Sequence, residues 1–206
     1  QKVLLMKNLE QKGISQADGA NFSGSVAYKV DDITYDGKPV GSSELVLSMK
    51  HLDMPAMQAL VVWYQGRLPE LQAAAAKGQA LPSLSMTEAE KALVSRNLKQ
   101  FLASKPQIAL ENLSFKTARG ESRFNLSVDL TSPSSLELPA DELSRQMITQ
   151  VQSKLQLSKP MIGDLAILQA SLEGESDAQM LAQAAQAGEM VGMLALQSQM
   201  ATVQGN

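Results

Sequence analysis

The sequence predicts an α+β fold: an antiparallel, bulged and strongly bent β-sheet, a meander of long strands covered by amphipathic helices. Three observations carry this. Apolar residues alternate at period two in several stretches, the signature of half-buried strands. In three of them the alternation slips by one residue at a polar pair, the mark of a bulge. Two long blocks between and after these stretches instead carry apolar residues at helical spacing, framed by caps.

The chain opens on Val3-Leu4-Leu5-Met6 with no capping or turn signal before it. Val3 to Gly13 reads as the first bulged strand, with its slip at Lys7-Asn8 and Gly13 as its turn. Phe22, Val26, Tyr28 and Val30 then alternate, with Gly24 in phase, until Ile33 and Tyr35 shift parity. Asp31-Asp32 is the predicted bulge. Asp36-Gly37 is a strong hairpin signal. The return strand, Lys38 to Lys50, carries Leu45, Leu47 and Met49, and Pro39 and Gly41 predict an irregular or edge-like start.

Asp53 can cap a helix with Pro55 in its first turn. Met54, Met57, Leu60, Val61, Tyr64, Leu68 and Leu71 form its stripe; Gly66 and Pro69 predict a kink, and Lys77-Gly78 an end. After a loop at Leu81-Pro82-Ser83, Thr87 to Glu90 is a capping box. Leu93, Val94, Leu98, Phe101 and Leu102 follow on one face, ending before Pro106.

The strand pattern returns with Ile108 and Leu110, a slip at Glu111-Asn112, then Leu113 and Phe115. Arg119-Gly120 supplies a turn; Phe124, Leu126, Val128 and Leu130 come back at period two. Ile148 to Leu157 is a further strand, with Val151, Leu155 and Leu157 apolar. Pro160 begins a third helix that Gly174 ends, with Ile162, Leu165, Ala166 and Leu168 inward. Ser176 caps a fourth, from about Asp177 to Leu196, with a stripe of Met180, Leu181, Ala184, Gly188, Val191 and Leu194. Small residues at Ala184, Gly188 and Gly192 let another backbone approach closely. One strand face is polar (Ser23, Ser25, Lys29, Gln107, Ser127, Asp129), so the helices are expected to cover the other. The organisation is one domain over 1–206: a strand hairpin region at 1–52, a helical pair at 53–104, strands at 105–158 and a helical pair at 159–200.

The composition excludes several chemistries. A formal charge of −3 gives no basic footprint for nucleic acid. Zero Cys removes disulfides, thiolate metal sites and Cys nucleophiles, and a single His removes every site needing two. No apolar run approaches the ~18 residues of a membrane span. No P-loop, dinucleotide fingerprint, EF-hand, nucleophile elbow or S-x-x-K tetrad is present. Asn21, Asn112 and Asn125 begin formal glycosylation sequons inside strands, relevant only to a eukaryotic secretory setting.

The remaining candidates have local explanations. His51 ends a strand beside the cap Asp53, without a triad signature. Asp31-Asp32 suits a bulge and Glu88/Glu90 a helix start; Asp141-Glu142 is a third carboxylate pair. No residue is assigned a catalytic, cofactor-binding or metal-binding role, and no cofactor is expected. Eleven Met form a soft, adaptable core composition that can also line an apolar groove.

The run from Lys105-Pro106 to Leu130, with LENLSFKTARGESRFNLSVDL, resembles the YdgA-like family of envelope proteins from Gram-negative bacteria. The segment LQASLEGESDAQMLAQAAQAGEMVGML is similar to that family's late helix pair, and Met49 to Ala76 to its first long helix. Gly120-Glu121-Ser122 and Leu172-Glu173-Gly174 are the firmest anchors. The resemblance implies a full chain about twice this length, with an N-terminal single-span anchor and a periplasmic body. This chain would be its C-terminal half, with a further strand pair beyond Asn206. It implies no activity to carry onto a residue.

The expected function is accordingly a non-enzymatic periplasmic protein tethered to the inner membrane, a scaffold or interaction module. Its expected partners are a second copy or another envelope protein, met through the sheet edges; nucleic acid is not among them, and the membrane is met only through the anchor. The alternatives are a carrier of a lipid or other apolar ligand, held between bent sheet and Met-rich helices, and a hydrolase using His51 or a carboxylate pair. A carrier requires an apolar cavity of at least ~300 Å³.

Overall fold

A computed structural model of the chain describes residues 2–76, 86–174 and 177–197. Six strands form one open antiparallel sheet in chain order: β1 (Leu4–Asp18), β2 (Asn21–Tyr35), β3 (Lys38–Asp53), β4 (Gln107–Lys116), β5 (Glu121–Leu130) and β6 (Ile148–Gln156). Helices α1 (Met54–Ala76) and α2 (Glu88–Ala103) join β3 to β4. The short α3 (Ala140–Met147) joins β5 to β6, and α4 (Lys159–Glu173) and α5 (Asp177–Gln197) follow β6. The α+β meander is the predicted fold class.

The bulges sit where the alternation slips. The β2–β3 register shifts between Val30 and Ile33, across Asp31-Asp32. Glu111-Asn112 shifts β4 against both neighbours, between Leu110 and Leu113 on one side and opposite Val46/Leu47 on the other. Both bulges place polar residues where the apolar pattern needs one extra residue to stay on its face. Lys7-Asn8 behaves differently. Lys7 faces Asp32 and Leu9 faces Val30 in one unbroken register, so the irregularity is local: Asn8 turns to φ +54. Asn tolerates that region better than most side chains.

Turn chemistry separates true turns from strand glycines. Asp36 and Gly37 both have positive φ (51° and 77°) between the paired Tyr35 and Lys38, the primed hairpin geometry. Gly13, expected to end β1, instead lies inside it opposite Val26, and the strand runs on to Asp18. The β1–β2 turn is Gly19-Ala20, between the paired Asp18 and Asn21, with Gly19 at φ +60. Pro39 and Gly41 lie beyond the end of the β4 ladder, which begins at the Ser42–Lys116 pair. The start of β3 is therefore edge-like within a central strand.

The helix caps follow the sequence. The Ala56 N–H donates to Asp53 Oδ1 at 2.9 Å, and Gln100 Nε2 donates to both Asp53 oxygens at 3.1 Å. This buried carboxylate therefore starts α1 and ties it to α2. The α1 helix continues through Gly66 and Pro69 as one element. Thr87 and Glu90 complete their reciprocal capping box. Ser158 caps α4 and Gly174 ends it at φ +79. Gly163 of α4 meets the Ala184 backbone of α5, the close approach that small residues permit. Lys77-Gly78, the loop at 81–83 and Ser176 lie outside the described residues.

Two further expectations need correction. Residues 105–158 are not all strand: α3 sits among them, behind Pro139 with Asp141 and Glu142 in its first turn and Arg145 in its last. Those charges match the helix dipole and were the available signal. The helical stripes are also incompletely buried. Val61 and Tyr64 of α1, Leu93 of α2 and Leu181 and Leu194 of α5 are exposed. Each helix pair packs chiefly within itself and reaches the sheet only at one end.

Asp53→Ala is expected to destabilise the protein by about 1–2 kcal/mol, since it removes the α1 cap and the carboxylate that the Gln100 amide reaches from α2. Asp53→Ser, which retains a capping oxygen, should lose less; urea denaturation of the two variants checks this.

Candidate functional site

The strand register assembles one continuous apolar face. Tyr28, Leu45, Leu113, Phe124 and Leu155 form one cross-strand row. Val26, Leu47, Leu110, Leu126 and Ser153 form the next, and Gly24, Met49, Ile108, Val128 and Val151 the third. Directly paired residues share a face, so these rows stack on one side of five strands. Leu110 and Leu113 stay on that side only because Glu111-Asn112 is an inserted step.

This face is open in the middle. Tyr28, Leu47, Met49, Ile108, Leu113, Val151 and Leu155 keep 37–56% of their surface. The expected helix cover thus does not close over this face, for a connective reason. α1 and α2 leave and rejoin the sheet where β3 ends and β4 begins. There Met54 N donates to Ala20 O at 3.0 Å, and Ser104 Oγ to His51 O. α4 is bound at the opposite end, against the β4–β5 turn and the start of β3.

The polar face is a network. Ser48 Oγ donates to Glu111 Oε1 at 2.7 Å and Lys50 Nζ lies 3.5 Å from the same oxygen. Asn112 Nδ2 donates to Glu44 Oε2 at 2.7 Å. Both bulge side chains therefore point to the polar side. The Ser48 hydroxyl, with the Lys50 ammonium, holds the Glu111 carboxyl below its ordinary range against the opposing effect of burial.

Two clefts open at the two ends of the sheet. The first, about 370 Å³, is lined by His51, Lys105, Gln107, Asp129, Leu130, Thr131 and Thr149. His51 and Lys105 both adopt left-handed backbone there, at φ 56° and 54°. The bonds of His51 are made by its backbone: its N–H donates to Ser23 Oγ at 3.1 Å. The nearby Asp129 carboxylate accepts from Gln107 Nε2 at 2.6 Å.

The second cleft, about 500 Å³, lies between the start of β3, the β4–β5 turn and α4, with Met180 of α5 at its side. Its frame is Asp164, which accepts from Thr117 Oγ1 at 2.6 Å, from the Arg119 N–H at 3.0 Å and from Arg119 Nε. Burial pushes the Asp164 carboxyl up, and these bonds together with the Arg119 charge more than offset it, leaving it below its ordinary range. Gly41, at φ +150, presses the start of β3 against the Lys116 carbonyl, where a Cβ would collide. No sequence signal marked this cleft, because its parts come from three distant segments.

The carboxylate pairs are placed structurally. Asp31 pairs with Lys29 at 2.7 Å and Asp32 with Lys7 at 4.0 Å. Glu88 pairs with Lys91, and Glu90 closes the α2 cap and meets Arg67. Asp141 and Glu142 occupy the first turn of α3. Among the described residues no cluster of three His, Asp or Glu side chains could hold a metal ion, and no helix is long and apolar enough to cross a membrane.

Asp164→Asn is expected to cost about 1 kcal/mol at neutral pH, a figure discounted for the exposed Arg119 guanidinium. The depressed carboxyl contributes stability above the unfolded value of about 3.9, and loses it as pH falls through the lower folded value. Melting curves between about pH 7 and about pH 2 should converge for the wild type and this variant at the acid end.

Comparison with known proteins gives one family. A family described as "Bacterial protein of unknown function (DUF945)" matches residues 1–206. "Protein YdgA" of Escherichia coli (strain K12) is 25% identical over 210 residues, which covers 100% of this chain and 41% of that protein. The chain thus spans about two-fifths of the length of that curated relative. No solved structure matches. The bulged strands, the Arg119-Gly120 turn and the helix pair after β6 all lie within the matched length, and the chain belongs to the DUF945 family, with Escherichia coli YdgA among its relatives.

Proposed function

We propose that the protein is a non-enzymatic interaction module of the bacterial cell envelope, periplasmic and tethered to the inner membrane in the full-length protein. The observation that carries this reading is the open apolar face: three largely apolar rows across five strands, exposed at their centre. Soluble monomers rarely leave contiguous apolar patches beyond a few hundred Å² uncovered, and larger ones mark interaction surfaces. The two edge strands add to it. Every residue of β1 and β6 is exposed, and each strand has a free edge for pairing with another strand. The compartment rests on the likeness to YdgA-like envelope proteins, and an absence of Cys is compatible with it. His51 and the carboxylate pairs offer no arrangement that favours hydrolysis over this reading.

A second reading, a carrier of a lipid or other apolar ligand, is favoured by the cleft between β3 and α4. Its volume of about 500 Å³ exceeds the lower bound of ~300 Å³ for ligand sites.

A photo-crosslinking residue at position 113 or 47, on the open face, should give a discrete adduct in living cells. One at position 127, on the polar face, should give none. Leu113→Lys should abolish the adduct formed from position 47 while shifting stability by less than about 1 kcal/mol, because the side chain is already half exposed. Adducts from the polar face alone would overturn the proposal.

A further inference from the structure

We propose that the cleft between the start of β3 and α4 binds a single-chain amphiphile with an anionic head, a long-chain carboxylate, and that Lys38 is its anchor. The inference rests on the carrier reading and names its ligand class.

The charge at the cleft is the first ground. Lys38 Nζ donates to Ser171 O at 2.7 Å and to Ser171 Oγ at 2.9 Å. Both acceptors are neutral. An ammonium has three donors, so one N–H remains, and among the described residues no carboxylate lies within ion-pair distance of it. The other ionised group in the lining, Asp164, is taken up by Arg119 and Thr117. Lys38, Arg119 and Asp164 together leave one net positive charge at the wall. A carboxylate head would satisfy the remaining donor with a charge-assisted hydrogen bond, the stronger class of such bonds.

The walls are the second ground. Pro39 and Val40 on one side and Leu165, Ile167, Leu168 and Met180 on the other present aliphatic surface beside that charge. A few placed polar groups within an otherwise apolar cleft is the general form of small-molecule sites, and ~300–1,000 Å³ is their usual size. The geometry is also preformed. Gly41 seats the β3 start on β4 without a side chain, and the Asp164 bonds fix α4 against the β4–β5 turn. Preorganisation of this kind lowers the cost of binding. Met180 supplies the one flexible, polarisable wall, suited to an alkyl chain of variable path.

The ligand could be met as a free molecule or as the head and chain of a membrane lipid, and the test separates the two. Isothermal titration would use dodecanoate below its micelle concentration, dodecanol as its uncharged counterpart, and phosphatidylglycerol vesicles in a co-sedimentation arm. The expected result is saturable one-to-one binding of dodecanoate, at least tenfold tighter than dodecanol. Lys38→Gln should reduce that preference to less than threefold while the protein stays folded, with unchanged far-UV circular dichroism. Leu165→Trp, which fills the cleft, should abolish binding of both ligands.

Equal affinity for dodecanoate and dodecanol, unchanged by Lys38→Gln but lost in Leu165→Trp, would overturn the anchor while leaving the carrier reading standing. Binding of neither ligand would overturn both. Vesicle binding without monomer binding would place recognition on a membrane surface and overturn the cleft as its site.

Discussion

Strand parity is the constraint on which this structure depends. Side chains alternate between faces with a period of two, so a single inserted residue exchanges the faces of everything beyond it. β4 spends one such insertion at Glu111-Asn112, and β2 another at Asp31-Asp32. Were the ladder regular through the first, Leu113 would pair with Glu44 in place of Leu45 and turn to the polar face. The inserted residues are themselves polar, so their extra side chains are satisfied on the wet face by Ser48, Lys50 and Glu44. One face of the sheet is kept aliphatic by residues that belong to the other.

The helices follow from the ends of the strands more than from the face between them. Asp53 begins α1 directly at the end of β3 and holds α2 through Gln100. Thr117 and Arg119, in the β4–β5 turn, fix α4 through Asp164. A meander places these two anchor points at opposite ends of the sheet. The apolar side chains in the middle of the sheet are left exposed, and the second cleft forms where α4 meets the β4–β5 turn. The open apolar face and the cleft between β3 and α4 are products of the same topology.

Much of this was legible because it is local. The Asp36-Gly37 turn, the Thr87–Glu90 box, the Gly174 stop and both polar bulges are decided by a few adjacent residues, and they appear as read. Gly13 misled because a glycine can sit in a strand as readily as in a turn; the positive φ of Gly19 was the deciding feature. The α3 helix was hidden by its shortness, under three turns, although its charges were ordered for a helix. The extent of the helix cover could not be read, since amphipathic spacing says that a stripe exists and not what it meets. The Lys38 cleft was beyond sequence reasoning altogether, because Lys38 and Ser171 are 133 residues apart.

The long, fully exposed β1 has a mechanical consequence. It is held by β2 on one side only, through bonds that lie perpendicular to its length. A pulling force entering at Leu4 and directed away from β2 would load those bonds one pair at a time, as a zipper is loaded, and not all together in shear. β1 would peel at low force while β3, β4 and β5, each paired on both sides, stayed in place. The outermost strand would then act as a compliant leader, taking up tension before it reached the apolar face.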